Sequence, residues 1–325
     1  MIGTKVKNNG SSAGILAQVA TRAQVSQGTV SRVFNNSELI PPKTRVRVLS
    51  AARELGFRPR VGVRNKQIAL VTEPPQNTVM GGYVNTLTQY ICFALSRCNA
   101  GVTMITEDRI SALAESWFDG VIGIAWQEET IELLKELNLP AVWFCDDQAG
   151  RFHTVYSDAC ETGRFVGNYL IGKGHRKIAV IHQMDYTGCN RLAGVRQAMR
   201  EAGIDPERML LDLTDAGSLH LAVKQLIDAG CTAVWVPGED MNAIKVGWLI
   251  QELAGKRIPE DISLLGSENP GISEFQRPAL STVAAPLREM AELAVEIVMK
   301  DEHAALQKIE MPVRLIERNS VANLE

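Results

Sequence analysis

The sequence predicts an all-α N-terminal headpiece followed by an α/β body of two lobes, each built on a parallel sheet. Apolar residues recur at helical spacing within residues 15–60, the charge changes sign after that segment, and short apolar runs alternate with amphipathic stretches from Ile68 onward. Each observation separates the first sixty or so residues from the rest. We expect residues 1–60 to form the headpiece, 61–67 a short linker and 68–325 the body.

Within the headpiece, the spacing of apolar residues predicts two short helices joined by a tight turn. The apolar faces are Ile15, Leu16, Val19 and Ala20 in the first helix and Val25, Val30 and Val33 in the second. Ser26 stands where it can cap the start of the second helix. Two short helices across such a turn form the helix-turn-helix arrangement, in which the second helix lies in the major groove of DNA. The segment therefore predicts a DNA-binding unit.

A third helix is expected to complete the headpiece. Pro41 and Pro42 open it, because proline is tolerated in the first turn of a helix, and Gly56 is placed to end it. Its buried stripe is Val48, Leu49, Ala52 and Leu55. Phe57 is then expected to close a three-helix core.

The distribution of charge supports contact with nucleic acid. Residues 1–66 hold 12 Lys and Arg against two Asp and Glu, whereas the rest of the chain holds 22 against 35, so the net charge of −3 combines a basic head with an acidic body. A basic head neutralises phosphates, and an acidic body is repelled by the same duplex. The charges lie within a periodic helical pattern, unlike those of a solvated low-complexity tail.

Membrane and secreted classes are disfavoured by the composition. No apolar stretch reaches about 18 residues, so no membrane span is predicted, and the N-terminal stretch MIGTKVKNNGSSAG lacks the apolar core of a signal peptide. The six cysteines are scattered without CxxC pairs, which favours reduced core thiols over a disulfide framework or a zinc site. We expect a cytoplasmic protein with no metal and no cofactor.

The body alternates short apolar runs with amphipathic stretches. The predicted strands are 68–71, 102–105, 120–125, 140–145, 177–181, 209–211, 233–236 and 262–266, and the predicted helices are 84–97, 130–137, 162–173, 191–201, 219–229 and 241–254. Strands that are apolar throughout and separated by helices indicate parallel sheets covered on both faces. In such sheets, ligands bind beyond the carboxyl ends of the strands.

Several segments, in one order, resemble the LacI-type bacterial transcription regulators, in which a helix-turn-helix precedes a periplasmic-binding-protein-like effector domain. The most specific is VSQGTVSRVFNN (25–36), followed by TRVRVLSAARELGFRPR (44–60), GHRKIAVI (174–181), RLAGVRQAM (191–199), IPEDISLLG (258–266) and RPALSTVAAPLREMAELAV (277–295). The resemblance implies that lobe 1 comprises about 68–157 and 284–311, and lobe 2 about 158–283 and 312–325.

The resemblance also implies which side chains contact double-stranded operator DNA. Gln27 and Gly28 occupy the two variable positions of the recognition helix that read base edges: glutamine can bond adenine with two hydrogen bonds, and glycine allows close approach of the backbone. Arg32 matches an arginine that contacts a base or a phosphate. Phosphate contacts are implied for Ser26, Thr29, Ser31 and Asn35. Thr29 and Ser31 also fit polar residues that only face solvent.

For the effector cleft, the resemblance implies five positions: Trp126, Asp146, Arg191, Asp240 and Asn269. Arg191 carries a fork of donors that suits hydroxyl groups or a carboxylate. Trp126 fits a ring-stacking residue and a packing residue equally well, and Arg191 with Asp240 also fits a structural salt bridge. Paired acidic and guanidinium groups suit a small polar effector such as a sugar, another polyol or a nucleobase-like molecule.

Three departures from the family pattern bear on function. Gln24 stands in the turn where glycine is usual and a positive φ is often required. The linker 61–67 is about six residues shorter than usual and is a poor helix without an apolar wedge, so we expect no hinge helix and little bending of DNA. The body is trimmed at 106–120, and residues 73–82 replace an aromatic-bearing turn that helps to grip a sugar ring.

Alternatives from other classes can be weighed on the same residues. An enzyme has no support, since no Gly-x-Ser-x-Gly, P-loop, HExxH or dinucleotide motif is present. A solute-binding receptor shares the body but not the basic head. A regulator without any small-molecule response is compatible with the trimmed cleft. We predict a repressor that binds a palindromic operator as a homodimer, with helix 286–299 either a dimer surface or a cover for the sheet.

Overall fold

The computed structural model describes residues 12–34, 39–57, 65–74, 82–124, 128–137, 139–145, 150–214, 217–238, 240–268, 271–300 and 305–324. Most of the predicted linker, and most of the turn at 73–82, lie outside these ranges.

The headpiece consists of three helices: α1 (Ser12–Arg22), α2 (Gln27–Phe34) and α3 (Pro42–Glu54). Their shared core is Val19, Ala20, Ala23, Val30, Val33, Ile40, Val48, Leu49, Ala51, Ala52 and Phe57. Pro41 precedes α3 as its N-cap, and Gly56 follows it with φ 59°, as predicted. The prediction that Leu55 is buried is wrong, because this C-cap residue turns outward and is 39% exposed.

Lobe 1 is built on a six-stranded sheet in which every pairing is parallel. Its strands are β1 (Gln67–Thr72), β2 (Gly101–Thr106), β3 (Gly120–Ile124), β4 (Ala141–Trp143), β5 (His153–Tyr156) and β11 (Lys308–Glu310), in the order β2-β1-β3-β4-β5-β11. Its helices are α4 (Tyr83–Arg97), α5 (Ala112–Glu115), α6 (Glu128–Leu137) and α12 (Leu287–Lys300), with a 3₁₀ turn at Glu107–Arg109.

Lobe 2 repeats this strand order. Its sheet contains β6 (Ile178–Val180), β7 (Leu210–Asp212), β8 (Ala233–Trp235), β9 (Ser263–Ser267), β10 (Ser281–Ala284) and β12 (Arg314–Ile316), ordered β7-β6-β8-β9-β10-β12. The helices are α7 (Ala159–Gly172), α8 (Tyr186–Glu201), α9 (Pro206–Met209), α10 (Leu219–Asp228) and α11 (Asp240–Trp248), with a π-helical turn at Leu249–Leu253 and a 3₁₀ turn at Ser273–Phe275. Only the β10–β12 pairing in this sheet, as described, is antiparallel.

The chain crosses between the two sheets three times: after β5, after β10 and after β11. The prediction of two parallel sheets is confirmed apart from the antiparallel edge strand β12. Four strands, β5, β10, β11 and β12, were not predicted. They are three or four residues long and contain polar residues such as His153 and Thr282, so they lack the continuous apolar run of a central strand.

Helix α12 covers the sheet of lobe 1. Its apolar residues Leu287, Met290, Ala291, Ala294, Val295 and Val298 are all buried in the core shared with α4 and the strands. Charged residues occupy its exposed side, among them Arg288, Glu289, Glu292 and Glu296. This burial favours the interpretation of the helix as a cover for the sheet, while Leu293, Ile297 and Met299 remain partly exposed.

Two further expectations concern cysteines and membranes. The six cysteines are all free, but Cys98 and Cys189 are exposed, so the prediction that the thiols are core residues is wrong for these two. Among the described residues, no helix combines the length and the apolar character that crossing a bilayer requires.

Candidate DNA-reading surface and effector cleft

The turn between α1 and α2 fixes the recognition helix in space. The backbone N–H of Val25 donates to the carbonyl of Ala20 at 3.0 Å, and Gln24 between them has φ 53°, in the left-handed region. The expectation that this position requires a positive φ is confirmed, and Gln24 adopts it. Ser26 caps α2 as predicted, because its Oγ accepts from the N–H of Thr29 at 3.1 Å.

The predicted DNA contacts share one exposed surface of α2. Ser26, Gln27, Gly28, Ser31 and Arg32 are exposed and Thr29 is half-buried, while Val30 and Val33 turn into the headpiece core. The hydroxyls of Ser26 and Thr29 lie 2.9 Å apart and bond to each other. Asn35 lies outside the described residues. The structure therefore presents the side chains of Gln27 and Arg32 to a ligand as large as a duplex, with Gly28 leaving open backbone beside them.

A cavity of about 520 Å³ opens at the carboxyl ends of the strands of lobe 2, where an open α/β sheet is expected to bind ligands. Residues that follow β6, β7 and β8 and the starts of α8, α10 and α11 line it. The polar lining residues are His182, Gln183, Asp185, Arg191, Thr214, Ser218 and Asn242. The apolar lining includes Ile181, Leu213, Leu219 and Val236. A mixed lining of this kind suits a small polar molecule with an apolar face.

Arg191 is held in this cavity by an unusually close pair of helices. A Cβ placed on Gly163 of α7 would lie 1.9 Å from the carbonyl oxygen of Arg191, and one on Gly194 of α8 would lie 1.9 Å from the carbonyl oxygen of Cys160. Only glycine permits such an approach of two backbones. The main chain of Arg191 is thereby fixed against α7, and its side chain extends into the cavity.

The electrostatic surroundings of Arg191 span both lobes. Burial lowers the pKa of Arg191, while Asp185 and Tyr83 act in the opposite direction. Burial also raises the pKa of Tyr83, which lies at the start of α4 in lobe 1. Within the described part of the chain, the buried Nε of Arg191 has no hydrogen-bond partner. A guanidinium with an unused donor between two lobes is suited to bind oxygen atoms of a ligand.

A second polar group in the cavity is already bonded internally. His182 Nδ1 donates to the carbonyl of Gln183 at 2.8 Å, and Nε2 lies 2.6 Å from Thr214 Oγ1 and 3.2 Å from Asp212 Oδ1. Burial acts to raise the pKa of Asp212, but hydrogen bonds from Thr214 and His182 outweigh it and hold that pKa below its ordinary value. This network shapes the wall of the cavity between β6 and β7.

Of the five predicted effector-binding residues, the structure describes the side chain of Arg191 alone. Arg191 lines the cavity, whereas Trp126, Asp146 and Asn269 lie outside the described residues, as does the side chain of Asp240 at the start of α11. Glu268, next to Asn269, bonds Arg318 at 2.9 Å and Thr282 at 2.5 Å. Its charge is therefore committed to holding β9, β10 and the C-terminal segment together.

Sequence reasoning missed Tyr83, His182, Asp185 and Thr214. Asp185 had a usable signal, since Asp is a favoured N-cap and its side chain accepts from the N–H of Gly188 at 2.6 Å. The predicted start of this helix at residue 191 was five residues late and hid the cap. Tyr83 had no signal of its own, because its approach to Arg191 depends on how the two lobes face each other.

Comparison with known proteins agrees with both halves of this description. Residues 15–60 match the model for bacterial regulatory proteins of the lacI family, and residues 168–321 match a periplasmic binding protein-like domain. The HTH-type transcriptional repressor PurR of Klebsiella pneumoniae is 30% identical over 338 residues, which cover 95% of this chain and 97% of that protein. The chain belongs to the LacI family.

Solved structures of LacI-family proteins share the fold. The transcriptional regulator CelR in complex with cellobiose is 27% identical and superposes with a TM-score of 0.66, covering 94% of this chain and 99% of its own. The Lac repressor dimer bound to operator and the anti-inducer ONPF is 22% identical, with a TM-score of 0.67 over 94% and 98% of the two chains. This LacI-family chain is thus a DNA-binding transcription regulator with an effector-binding domain, and the prediction that it is not an enzyme is confirmed.

Proposed function

We propose that this LacI-family regulator is a cytoplasmic repressor that binds a two-fold symmetric operator as a homodimer and responds to a small polar effector. The observation that carries the proposal is the pairing of an exposed recognition helix with a cavity in lobe 2 that is lined by Arg191, on which Tyr83 of lobe 1 also acts. We assign the limits 1–60 to the DNA-binding unit, 61–67 to the linker and 68–325 to the effector domain.

For DNA reading, we assign Gln27 and Arg32 to base contacts and Gly28 to close backbone approach. Ser26, Thr29, Ser31 and Asn35 are assigned to phosphates, which set the register of the headpiece on the duplex. Exposure of the side chains of Gln27 and Arg32 on α2 supports this division. The basic charge of residues 1–66 supplies the salt-dependent part of the affinity.

For the effector, we propose a molecule rich in hydroxyl or ring-nitrogen groups, bound by Arg191 together with Trp126, Asp146, Asp240 and Asn269. The lining adds donors and acceptors at Asp185, Thr214 and Asn242. Tyr83 supplies an aromatic ring from lobe 1 near Arg191, which compensates for the aromatic turn that residues 73–82 lack. The complex of CelR with cellobiose supports a sugar, whereas the PurR relatives support testing nucleobases beside it.

We assign the homodimer surface to other exposed apolar residues, since most apolar residues of α12 are buried. Lobe 1 exposes Phe93 at 70% and Met104 at 55%, and lobe 2 exposes Trp248, Leu253 and Phe275 at 55%, 58% and 71%. We assign these residues to the interface because large apolar side chains that form an exposed patch mark interaction surfaces. The Lac repressor structure, which is a dimer on its operator, has the same overall fold.

The operator is tested by selecting bound duplexes from a random pool with purified full-length protein at a stated salt concentration. A two-fold symmetric motif is expected. On that motif, Arg32→Ala should weaken specific binding by about 1–3 kcal/mol, the usual value of a base-reading arginine. The exposed lobe 2 residue Arg200 provides the control Arg200→Ala. Equal binding by the Arg32 variant would remove this residue from the readers, and failure to recover any motif would contradict sequence-specific binding.

The effector is tested by thermal unfolding in the presence of cellobiose, ribose, adenine or guanine. A ligand at 100 times its Kd stabilises the folded protein by about 2.7 kcal/mol, and Arg191→Ala should abolish that increase. If none of these compounds changes the unfolding temperature, the regulator without a sugar or nucleobase response becomes the better description.

A further inference from the structure

The headpiece packs directly against lobe 1 through the indole of Trp117, which follows α5. This ring contacts the headpiece core, and its centroid lies 5.9 Å from that of Phe34 in an edge-on arrangement. Phe34 in turn lies 5.4 Å from Phe57, the residue that closes the three-helix core. An aromatic side chain of lobe 1 therefore extends the hydrophobic core of the headpiece.

Arg53 at the end of α3 makes the matching polar contact from the headpiece side. Its Nη2 donates to the carbonyl oxygens of Ser116 at 2.9 Å and Leu113 at 3.1 Å, both in lobe 1. Its guanidinium also lies 5.8 Å from the centre of the Trp117 ring, a favourable cation–π distance. Burial lowers the pKa of Arg53 to about 10, so the charged group has left bulk water to make these contacts.

Lobe 1 holds Trp117 in the orientation that the headpiece needs. The indole Nε1 donates to Asp119 Oδ1 at 3.2 Å, and Asp119 Oδ2 accepts from the backbone N–H of Gln67 at 2.7 Å. Gln67 begins β1, and Asp119 immediately precedes β3. The ring is thus anchored to the central strands of the sheet, so a movement of that sheet is transmitted to the ring.

The same contact leaves the DNA-reading surface free. Gln27 and Arg32 remain exposed while Phe34, at the far end of α2, faces Trp117. We propose that Arg53 and Trp117 form a fixed joint that sets the orientation of the headpiece relative to lobe 1, so that motion of lobe 1 reaches the DNA without passing through the linker. We call Arg53, Trp117 and the carbonyls of Leu113 and Ser116 the joint.

The joint explains how a chain with a short linker could place two reading helices at a defined separation. In the proposed dimer, on which this consequence rests, two headpieces fixed to two lobes 1 have one preferred distance between them. Inserting one base pair between the half-sites of an operator moves one half-site by about 3.4 Å and rotates it by about a tenth of a turn relative to the other, since 10–10.5 base pairs span 34–36 Å. A fixed joint therefore makes binding sensitive to spacing.

The existence of the joint is tested by amide hydrogen exchange on the full-length protein without DNA or effector. Trp117→Ala should speed exchange in residues 45–57 of the headpiece about tenfold, because the contact that protects the end of α3 is lost. Arg53→Lys should produce a smaller increase, since lysine keeps a donor for the carbonyls but loses the planar guanidinium that lies against the Trp117 ring. Phe165→Ala removes an exposed aromatic side chain on α7 of lobe 2, to which no binding role is assigned, and serves as the matched control.

Exchange in β1 and β3 shows whether lobe 1 of each variant is still folded. Unchanged protection of these strands together with faster exchange in residues 45–57 supports the joint. Unchanged exchange in residues 45–57 of both Trp117→Ala and Arg53→Lys would overturn it. If β1 and β3 also lose protection in Trp117→Ala, the decision rests on Arg53→Lys, which leaves the core of lobe 1 intact.

The effect on DNA is tested with the selected operator and with the same duplex carrying one inserted central base pair. The parent protein should discriminate between them at least tenfold, and Trp117→Ala should reduce that ratio at least threefold. An unchanged ratio, or tighter binding of the original operator by Trp117→Ala, would overturn the proposed setting of orientation. If the parent selects no operator, the proposed function fails while the exchange experiment still decides on the joint.

Discussion

Lobe 2 and the half of the molecule formed by headpiece and lobe 1 achieve close contacts in different ways. In lobe 2, α7 and α8 meet backbone to backbone through Gly163 and Gly194. In the other half, the headpiece meets lobe 1 through the side chains of Arg53 and Trp117. The two sheets have the same strand order, so this difference does not come from topology.

The difference indicates how rigidity is distributed. Backbone contact through glycine cannot be released without separating the helices, which suits a frame that must keep Arg191 in place. Side-chain contact joins the headpiece and lobe 1 without bringing their backbones together, so a side chain can be removed while both units remain folded. Lobe 2 is therefore expected to respond to substitution as one rigid body, and the headpiece and lobe 1 as two bodies that are joined.

The largest expected effect tests the rigid frame. Gly163→Ala places a Cβ against the carbonyl oxygen of Arg191, and the helices must separate to accept it. We expect a loss of about 1–3 kcal/mol in the free energy of unfolding, the usual cost of overpacking, measured by urea denaturation. Gly172→Ala, at the end of the same helix, adds a Cβ with no atom within 4 Å and is the control. Equal stability of the two variants would show that α7 and α8 separate easily.

A smaller effect of opposite sign is expected in the headpiece. Gln24 has φ 53° without being glycine, and this conformation costs roughly 1–2 kcal/mol for a residue with a Cβ. Gln24→Gly should remove that strain, but glycine gives the unfolded chain more conformational entropy to lose on folding, which leaves a gain of about 0.5–1 kcal/mol. Because Gln24 belongs to the headpiece, the gain is measured in the unfolding transition of the headpiece during urea denaturation. A loss of stability would mean that the side chain of Gln24 contributes more than its strain costs.

The third prediction compares one buried histidine from each lobe by titration. Burial lowers the pKa of His175 in lobe 2, helped by Arg176 and opposed by the backbone carbonyl of Ala322, and burial lowers that of His153 in lobe 1. Both are therefore neutral in the folded protein at a pH where the unfolded chain, with a histidine pKa of about 6.5, binds a proton. The free energy of unfolding should fall as pH decreases from about 7 to 5.

Asparagine at either position keeps a polar group near Nδ1 but does not titrate in this range. His175→Asn should flatten the pH dependence more than His153→Asn, because His175 is 1% exposed and His153 is 9% exposed. The exposed His220→Asn controls for the loss of a histidine as such. If His153→Asn flattens the pH dependence more, the histidine that controls it lies in lobe 1, and the expected order of the two lobes is reversed.

Much of the fold could be predicted because its signals are local. The helices of the headpiece, the cap at Ser26 and eight of the strands follow from apolar spacing and turn residues within short windows. The requirement for positive φ at Gln24 was also visible from one position. The joint was not predictable, since Trp117 and Arg53 are far apart in sequence and each alone reads as an ordinary surface or core residue.

The candidate site divides in the same way. Arg191 and the reading residues of α2 belong to continuous motifs, so their numbers could be assigned from the sequence. Tyr83 and Thr214 lie on loops and helix ends that meet Arg191 and His182 only after the sheets have formed. Contacts of this kind depend on the packing of whole elements, about which a single sequence carries no local signal.

Because the chain crosses between the two sheets three times, neither sheet is complete until late in synthesis. By Phe57, a ribosome has synthesised every residue of the headpiece core except the contributing ring of Trp117. Strand β11, which completes the sheet of lobe 1, follows some 250 residues later, and at 5–20 residues per second this takes roughly ten to fifty seconds. During that interval the nascent chain carries a complete basic DNA-binding headpiece while both sheets are unfinished. A headpiece synthesised near DNA can therefore bind it before the effector domain that regulates it has folded.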